Sequence, residues 1–308
     1  MTRAQQWAGF RSVLCPIDFS DDSRLALQYA AAIARRSGGR LRVLYVNDPL
    51  LVAAAAVGTR NRTLVNDSTR GLQNFVDATL PPASRGPLAL KVRAAVGSPA
   101  DEIIKAATRE PADLIVVGTH GLTGASRLLL GSTTLSVLQH TAVPVLAVPR
   151  AGEHLVAGPG PSWPGEQIVA ALELERHAER NADVAGRIAE WFGSSLLLVH
   201  VVSGIVAPLW LDVDLSAHDR IRLAKAEEHL KTLSVRSQRF VPTAARVVCG
   251  NIADEIAAVT ATERTELLVT ALHDRRGWFG ARRGSISYHV LAHATTPVLA
   301  YPPNWQPR

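Results

Sequence analysis

The feature that most constrains this chain is an internal repeat. Gly97-Ser-Pro-Ala-Asp-Glu-Ile103 returns as Gly250-Asn-Ile-Ala-Asp-Glu-Ile256, 153 residues further on. Thr141-Ala-Val-Pro-Val-Leu-Ala147 returns as Thr295-Thr-Pro-Val-Leu-Ala300. The apolar runs Val13 to Ile17 and Leu41 to Val46 are matched in order by Ile168 to Leu172 and Leu196 to Val201. Matches that keep their order along a chain are the mark of a duplicated domain. A length of 308 residues suits two domains of roughly 150. Between the copies, Gly158-Pro-Gly-Pro-Ser-Trp-Pro-Gly165 reads as a linker.

Each copy alternates strand and helix signals. In the first, Ser12 to Ile17 reads as a buried strand, and Asp21 or Asp22 is placed to cap a helix running to about Arg36. Ser37-Gly-Gly39 breaks that helix before a second strand, Leu41 to Val46. A helix is expected from about Asn66 to Leu80, stopped by Pro81-Pro82. Leu88 to Val96 reads as a strand, Pro99 opens a helix to about Thr108, and Asp113 to Val117 and Pro144 to Val148 read as the last two strands. Strands alternating with helices build a parallel sheet covered on both faces, which explains why the strands are apolar throughout.

Composition narrows the partners. The longest apolar runs, such as Leu50 to Val57, fall far short of the ~20 residues a membrane span needs. Met1 to Arg11 carries no apolar leader, and Cys15 and Cys249 sit apart in strand-like runs, so a cytoplasmic location is expected. Residues 1–150 hold 17 Lys+Arg against 10 Asp+Glu, a balance of +7, whereas residues 151–308 hold 16 against 17. These basic residues are scattered along the sequence without interleaved aromatics, so a small anionic ligand accounts for them better than nucleic acid.

The chemistry concentrates in Gly118-Thr-His-Gly121, nine residues, then Gly131-Ser-Thr133. It starts at the carboxyl end of the fourth strand, where open parallel sheets bind ligands, and it ends by opening a helix. A helix N-terminus offers unpaired N–H groups and about half a positive charge to a phosphate. Glycine lets the backbone approach closely, and Ser132 and Thr133 add hydroxyl donors. His120, inside the motif, reads as a solvent-facing residue. No lysine stands beside Ser132 to make a P-loop, no G-x-G-x-x-G follows a strand, and no G-x-S-x-G elbow is present. His289 and His293 share a helix spacing but have no third ligand nearby, so no metal site is expected. No general base or nucleophile is evident, so efficient catalysis is not expected.

With these residues the chain resembles the universal stress protein family, over both halves, as in its tandem members. The family's ATP-binding members carry G-x2-G-x9-G-(S/T), and Gly118, Gly121, Gly131 and Ser132 match every spacing. Val13-Leu-Cys-Pro-Ile-Asp-Phe-Ser20 is similar to the family's first strand and acidic turn, and Gly97-Ser-Pro99 to its third strand-to-helix turn. The resemblance implies two tandem doubly wound α/β domains, Rossmann-like and adenine nucleotide alpha hydrolase-like. Each would be a five-stranded parallel sheet of order 3-2-1-4-5, spanning residues 1–150 and 164–308. It implies ATP as ligand, with Mg2+ as companion. Pro16 and Asp18 would face ribose and adenine, Val46 would offer main-chain bonds to the adenine edge, and Gly118, Gly121, Gly131, Ser132 and Thr133 would cradle the phosphates. It implies a nucleotide-responsive sensor in stress adaptation, with a second copy or a regulatory protein as partner. The alternatives are a hydrolase or transferase of the same superfold, with slow ATP hydrolysis or self-phosphorylation, and a non-binding interaction scaffold. The family also suggests that the final strands, around Val145 and Val298, pair edge to edge.

The second copy departs at the site. Ala271 and Asp274 fall where Gly118 and Gly121 stand, Glu173 replaces Asp18, and Gly284-Ser285 keeps only the last pair. A carboxylate beside a phosphate costs roughly 4 kcal/mol for unit charges ~4 Å apart at an effective dielectric near 20. Arg275, Arg276, Arg282 and Arg283 read as a solvated basic loop. The second site is expected to bind ATP weakly or not at all.

Overall fold

A computed structural model describes residues 7–56, 61–120, 130–149, 158–204, 216–272 and 286–307. The first half runs β1 (Ser12–Ile17), α1 (Asp21–Arg36), β2 (Arg40–Asn47), α2 (Pro49–Ala56), α3 (Asn61–Thr79), α4 (Pro82–Arg85), β3 (Ala89–Val96), α5 (Pro99–Arg109), β4 (Leu114–Gly118), α6 (Ser132–His140) and β5 (Val145–Val148). The second runs β6 (Gln167–Ala171), α7 (Ala178–Phe192), β7 (Ser195–Val202), α8 (Ser216–Ser237), β8 (Thr243–Cys249), α9 (Ile252–Thr262), β9 (Leu268–Ala271), α10 (Ile286–His293) and β10 (Val298–Tyr301).

All ten strands join one sheet, ordered β3-β2-β1-β4-β5-β10-β9-β6-β7-β8. Each half therefore has the 3-2-1-4-5 order implied by the resemblance, and every pairing within a half is parallel. The seam is antiparallel: β5 meets β10, with Leu146 opposite Leu299. Val145 to Val148 and Val298 to Tyr301 are buried, so the seam covers two apolar strands that would otherwise be open edges. The central strands are buried on both faces, as in Leu114 to Val117 of β4.

Register makes the copies comparable residue by residue. Leu14 pairs with Ile115, which pairs with Val145; Val169 pairs with Leu268, which pairs with Val298. Leu14 and Val169 are thus equivalent, and so are Asp18 and Glu173, and Gly118 and Ala271.

Aromatic packing holds the halves together beside the sheet. Trp163 stands between Tyr29 and Phe192, with ring centroids 5.0 and 5.3 Å away, and its indole donates to the Glu266 carbonyl at 3.1 Å. The glycine-proline linker is therefore docked at this point. Phe10 meets Trp191 edge to face at 5.4 Å, and Gly9, at φ +79, lies where any side chain would collide with the Trp191 indole.

Local details differ from the sequence expectation. Ser20, rather than Asp21 or Asp22, caps α1: its hydroxyl accepts from the Ser23 amide at 3.1 Å, and the two aspartates occupy the first turn. α3 begins at Asn61, five residues before the expected start, and α2 and α4 were not anticipated. Pro82 sits at the first turn of α4, so the Pro81-Pro82 pair both ends one helix and starts another.

Candidate functional site

At the carboxyl ends of β1 and β4 lies a cavity of about 300 Å³. Pro16, Asp18, Val46, Gly118, Gly131, Ser132 and Thr133 all line it. Gly121, the remaining residue of the predicted set, lies outside the described residues.

Two hydrogen bonds close the glycine motif onto the strand. The Gly131 amide donates to the Thr119 carbonyl and the Thr134 hydroxyl to the Gly118 carbonyl, both at 2.8 Å. They set α6 so that its first turn meets the cavity. Among the described residues no side chain caps α6, and no acidic residue lies in its first turn. Its opening N–H groups therefore have no partner of their own in the helix, which is what an anion requires. By contrast, α1 and α9 are capped by Ser20 and Asn251.

Opposite, β2 outruns β1. Their pairing ends at Ile17–Tyr45, while β2 continues beside β3 to Asn47–Val96. The Asn47 carbonyl accepts from the Gly97 amide, so Asn47 faces β3. Successive residues of a parallel strand bond to opposite sides, so the Val46 carbonyl, past the last pair with β1, faces the space β1 has vacated.

Asp18 lies between these two walls. Its Oδ1 accepts from both the amide and the hydroxyl of Ser20, which fixes the carboxylate in the turn before α1. Phe19 holds that turn at φ +67, uncommon for a bulky residue, with its ring against Tyr45 at 4.8 Å and Phe75 at 5.5 Å.

His120 is not solvent-facing. Its side chain is 10% exposed, with Nδ1 2.9 Å from the Thr119 hydroxyl and 4.0 Å from the Asp22 carboxylate. Nε2 is buried without a partner among the described residues. The neighbouring glycines suggest exposure; the ring instead turns inward, against the Thr119 hydroxyl and Asp22 of α1.

The equivalent cleft of the second half is larger, about 500 Å³, and differently charged. Glu173 and Glu175 line one part of it; Arg222, Lys225 and His229 of α8 line another. His200 donates from Nδ1 to the Leu172 carbonyl at 2.8 Å. A Cβ on Gly118 would stand 3.0 Å from the backbone of Asp22. Ala271 is tolerated at the equivalent place because α7 starts at Ala178, the counterpart of Ser23, two residues later than α1 does. Asp274, the four arginines and Gly284-Ser285 lie outside the described residues.

Fold and cleft together define a tandem doubly wound α/β protein with unequal ligand clefts. Residues 9–149 and again 166–302 match the universal stress protein family, and the chain belongs to that family as a two-copy member. It is similar to a universal stress protein of Mycolicibacterium smegmatis, 23% identical over 94% of this chain and 97% of that one. Universal stress protein MJ0577 of Methanocaldococcus jannaschii is 28% identical over 46% of this chain and 96% of its own length. A crystal structure of a universal stress protein from Archaeoglobus fulgidus superposes with a TM-score of 0.62 at 20% identity, over 97% of this chain and 98% of that chain. Among the described residues, no helix is long and apolar enough to cross a membrane.

Proposed function

We propose that this protein is a nucleotide-responsive regulator in stress adaptation that binds one ATP, in the cleft of its first half. The observation that carries the reading is one cavity bounded by the uncapped N-terminus of α6 and by the main-chain edge of Val46. The first suits a phosphate chain. The second offers a main-chain acceptor to an adenine amino group, and Asp18 keeps Oδ2 available for ribose hydroxyls. His120 adds a buried nitrogen with an unmet hydrogen bond at the phosphate end. Any Mg2+ would arrive on the triphosphate, since Asp18 is the sole carboxylate lining this cavity among the described residues.

ATP occupancy acts in this reading by ordering the cleft and the surface around it, rather than by turnover. Support for regulation over catalysis is chemical: the hydroxyl paired with His120 is that of Thr119, which is buried and is not among the residues lining the described part of the cleft. Mass spectrometry of the ligand released from purified protein tests the reading. Retained ATP is the expected result. ADP or AMP accumulating with time would favour a hydrolase, and absence of any adenine nucleotide a scaffold.

A further inference from the structure

A second site is marked by an arginine that the fold does not need. Arg42, on β2, has an 8% exposed side chain. Its Nη1 donates to the Ala106 carbonyl in α5 at 3.0 Å and lies 3.8 Å from the Glu110 carboxylate. Nε and Nη2 are buried with no partner among the described residues. Those two nitrogens form one edge of the guanidinium, with parallel N–H bonds that match two oxygens of a carboxylate-like group.

The duplicated copy supplies the control. Arg42 pairs with Leu14, and Leu197 pairs with Leu14's equivalent, Val169. The same position in the second half is therefore a leucine, 3% exposed, in a sheet of the same order. An aliphatic side chain closes this core, and a buried charge in its place is commonly neutral or unfavourable for stability.

The surrounding charge follows the same division. Arg42 lies beside Lys91, and Leu44 beside Arg93, so strand alternation brings these three cations to one face. Arg109 of α5 joins them around a space of about 30 Å³. Glu110 lies 3.1 Å from Lys91 and is the one carboxylate lining this space among the described residues. In the second half Ala244 and Thr262 replace Lys91 and Arg109, and Arg246, the counterpart of Arg93, is engaged by Glu263 at 2.6 Å.

We propose that the free edge of Arg42 binds a small oxyanion, of formate or bicarbonate size, in this space beneath α5. The site lies four residues before Val46 on the same strand, and Leu44 lines both this space and the nucleotide cleft. A water needs roughly 10–15 Å³ of such space; a one-carbon oxyanion fits, and a nucleotide does not. The exposed Lys91 and half-buried Glu110 side chains line its outer part.

The test uses the full-length chain with sodium formate as probe and sodium chloride at equal ionic strength as reference. Thermal unfolding of the wild type is expected to rise by about 2–4 °C in formate at tenfold its dissociation constant, and bicarbonate to displace 13C-formate in saturation-transfer NMR. Arg42→Leu, which installs the second copy's residue, is expected to fold and to lose the formate response. Arg42→Lys keeps the charge without the fork and is expected to bind formate at least tenfold more weakly. A wild type that responds to formate no more than to chloride overturns the proposal, and so does an equal response in Arg42→Leu or Arg42→Lys. Arg42 would then serve α5 alone, through Ala106.

Discussion

Gly118 and Gly131 belong to one motif, yet different neighbours require each of them. At Gly118 a Cβ would press at 3.0 Å on the first turn of α1, whereas at Gly131 it would meet the Thr119 carbonyl at 3.2 Å, on the phosphate side. Gly118→Val is therefore expected to destabilise the protein by about 1–3 kcal/mol and to weaken ATP binding, because α1 must shift. Gly131→Ala is expected to weaken ATP binding below detection in calorimetry with little loss of stability. Thermal unfolding alongside nucleotide titration separates the two effects; equal melting losses would contradict this division. His120→Gln is expected to weaken ATP about tenfold, roughly 1.4 kcal/mol, and to leave adenosine unaffected, since adenosine has no phosphate to meet Nε2. An equal loss for both ligands in calorimetry would assign His120 to the adenosine end or to the fold. Burial without a partner is the signal here, and spacing alone does not carry it.

Among the elements, helix-to-helix ion pairing gives the second half a pH dependence. Arg236 of α8 holds Asp183 of α7 at 2.8 Å and Glu179 at 2.9 Å, and Arg239 reaches Asp183 at 2.6 Å. Burial alone would raise the Asp183 carboxyl, but the two arginines outweigh it and hold it below its ordinary value of 3.8. A carboxyl depressed on folding contributes stability above its unfolded value and loses that contribution as pH falls through the folded one. Asp183→Asn is expected to cost about 1 kcal/mol at pH 7, and the cost is expected to shrink as pH falls below 3.8 and the carboxyl is protonated. A cost independent of pH in denaturant titrations would contradict the pairing. The central strands are legible in sequence because burial on both faces makes them apolar, whereas the edge strands β3 and β8 are partly exposed and carry charged residues such as Lys91, Arg93 and Arg246. The helix starts are less so: Ser20 competes with two adjacent aspartates for the cap of α1, and α2, with Leu50 and Leu51 exposed, lacks the one-sided apolar pattern that marks a helix in sequence. The glycine site was legible because backbone requirements act at fixed spacing. The Arg42 cluster was not, since Arg42, Lys91, Arg93 and Arg109 are scattered in sequence and meet only through strand register.

Across the whole molecule, one sheet with an antiparallel seam and a shared aromatic core makes the halves a single structural body. Trp163→Ala is expected to destabilise the chain by about 3–5 kcal/mol, in one cooperative transition, because Trp163 contacts Tyr29 in the first half and Phe192 and Glu266 in the second. Separate unfolding of the halves in calorimetry would contradict that unity. Their structural union contrasts with their chemical inequality. One copy keeps the glycine cradle and the cation cluster; the other has Ala271, Glu173 and Leu197 at the equivalent places. Binding stoichiometry measures that inequality most directly. Titration of the full-length chain with ATP by isothermal calorimetry is predicted to give one site per chain, lost on Gly131→Ala. Two equivalent sites, or one site that survives Gly131→Ala, would contradict the account.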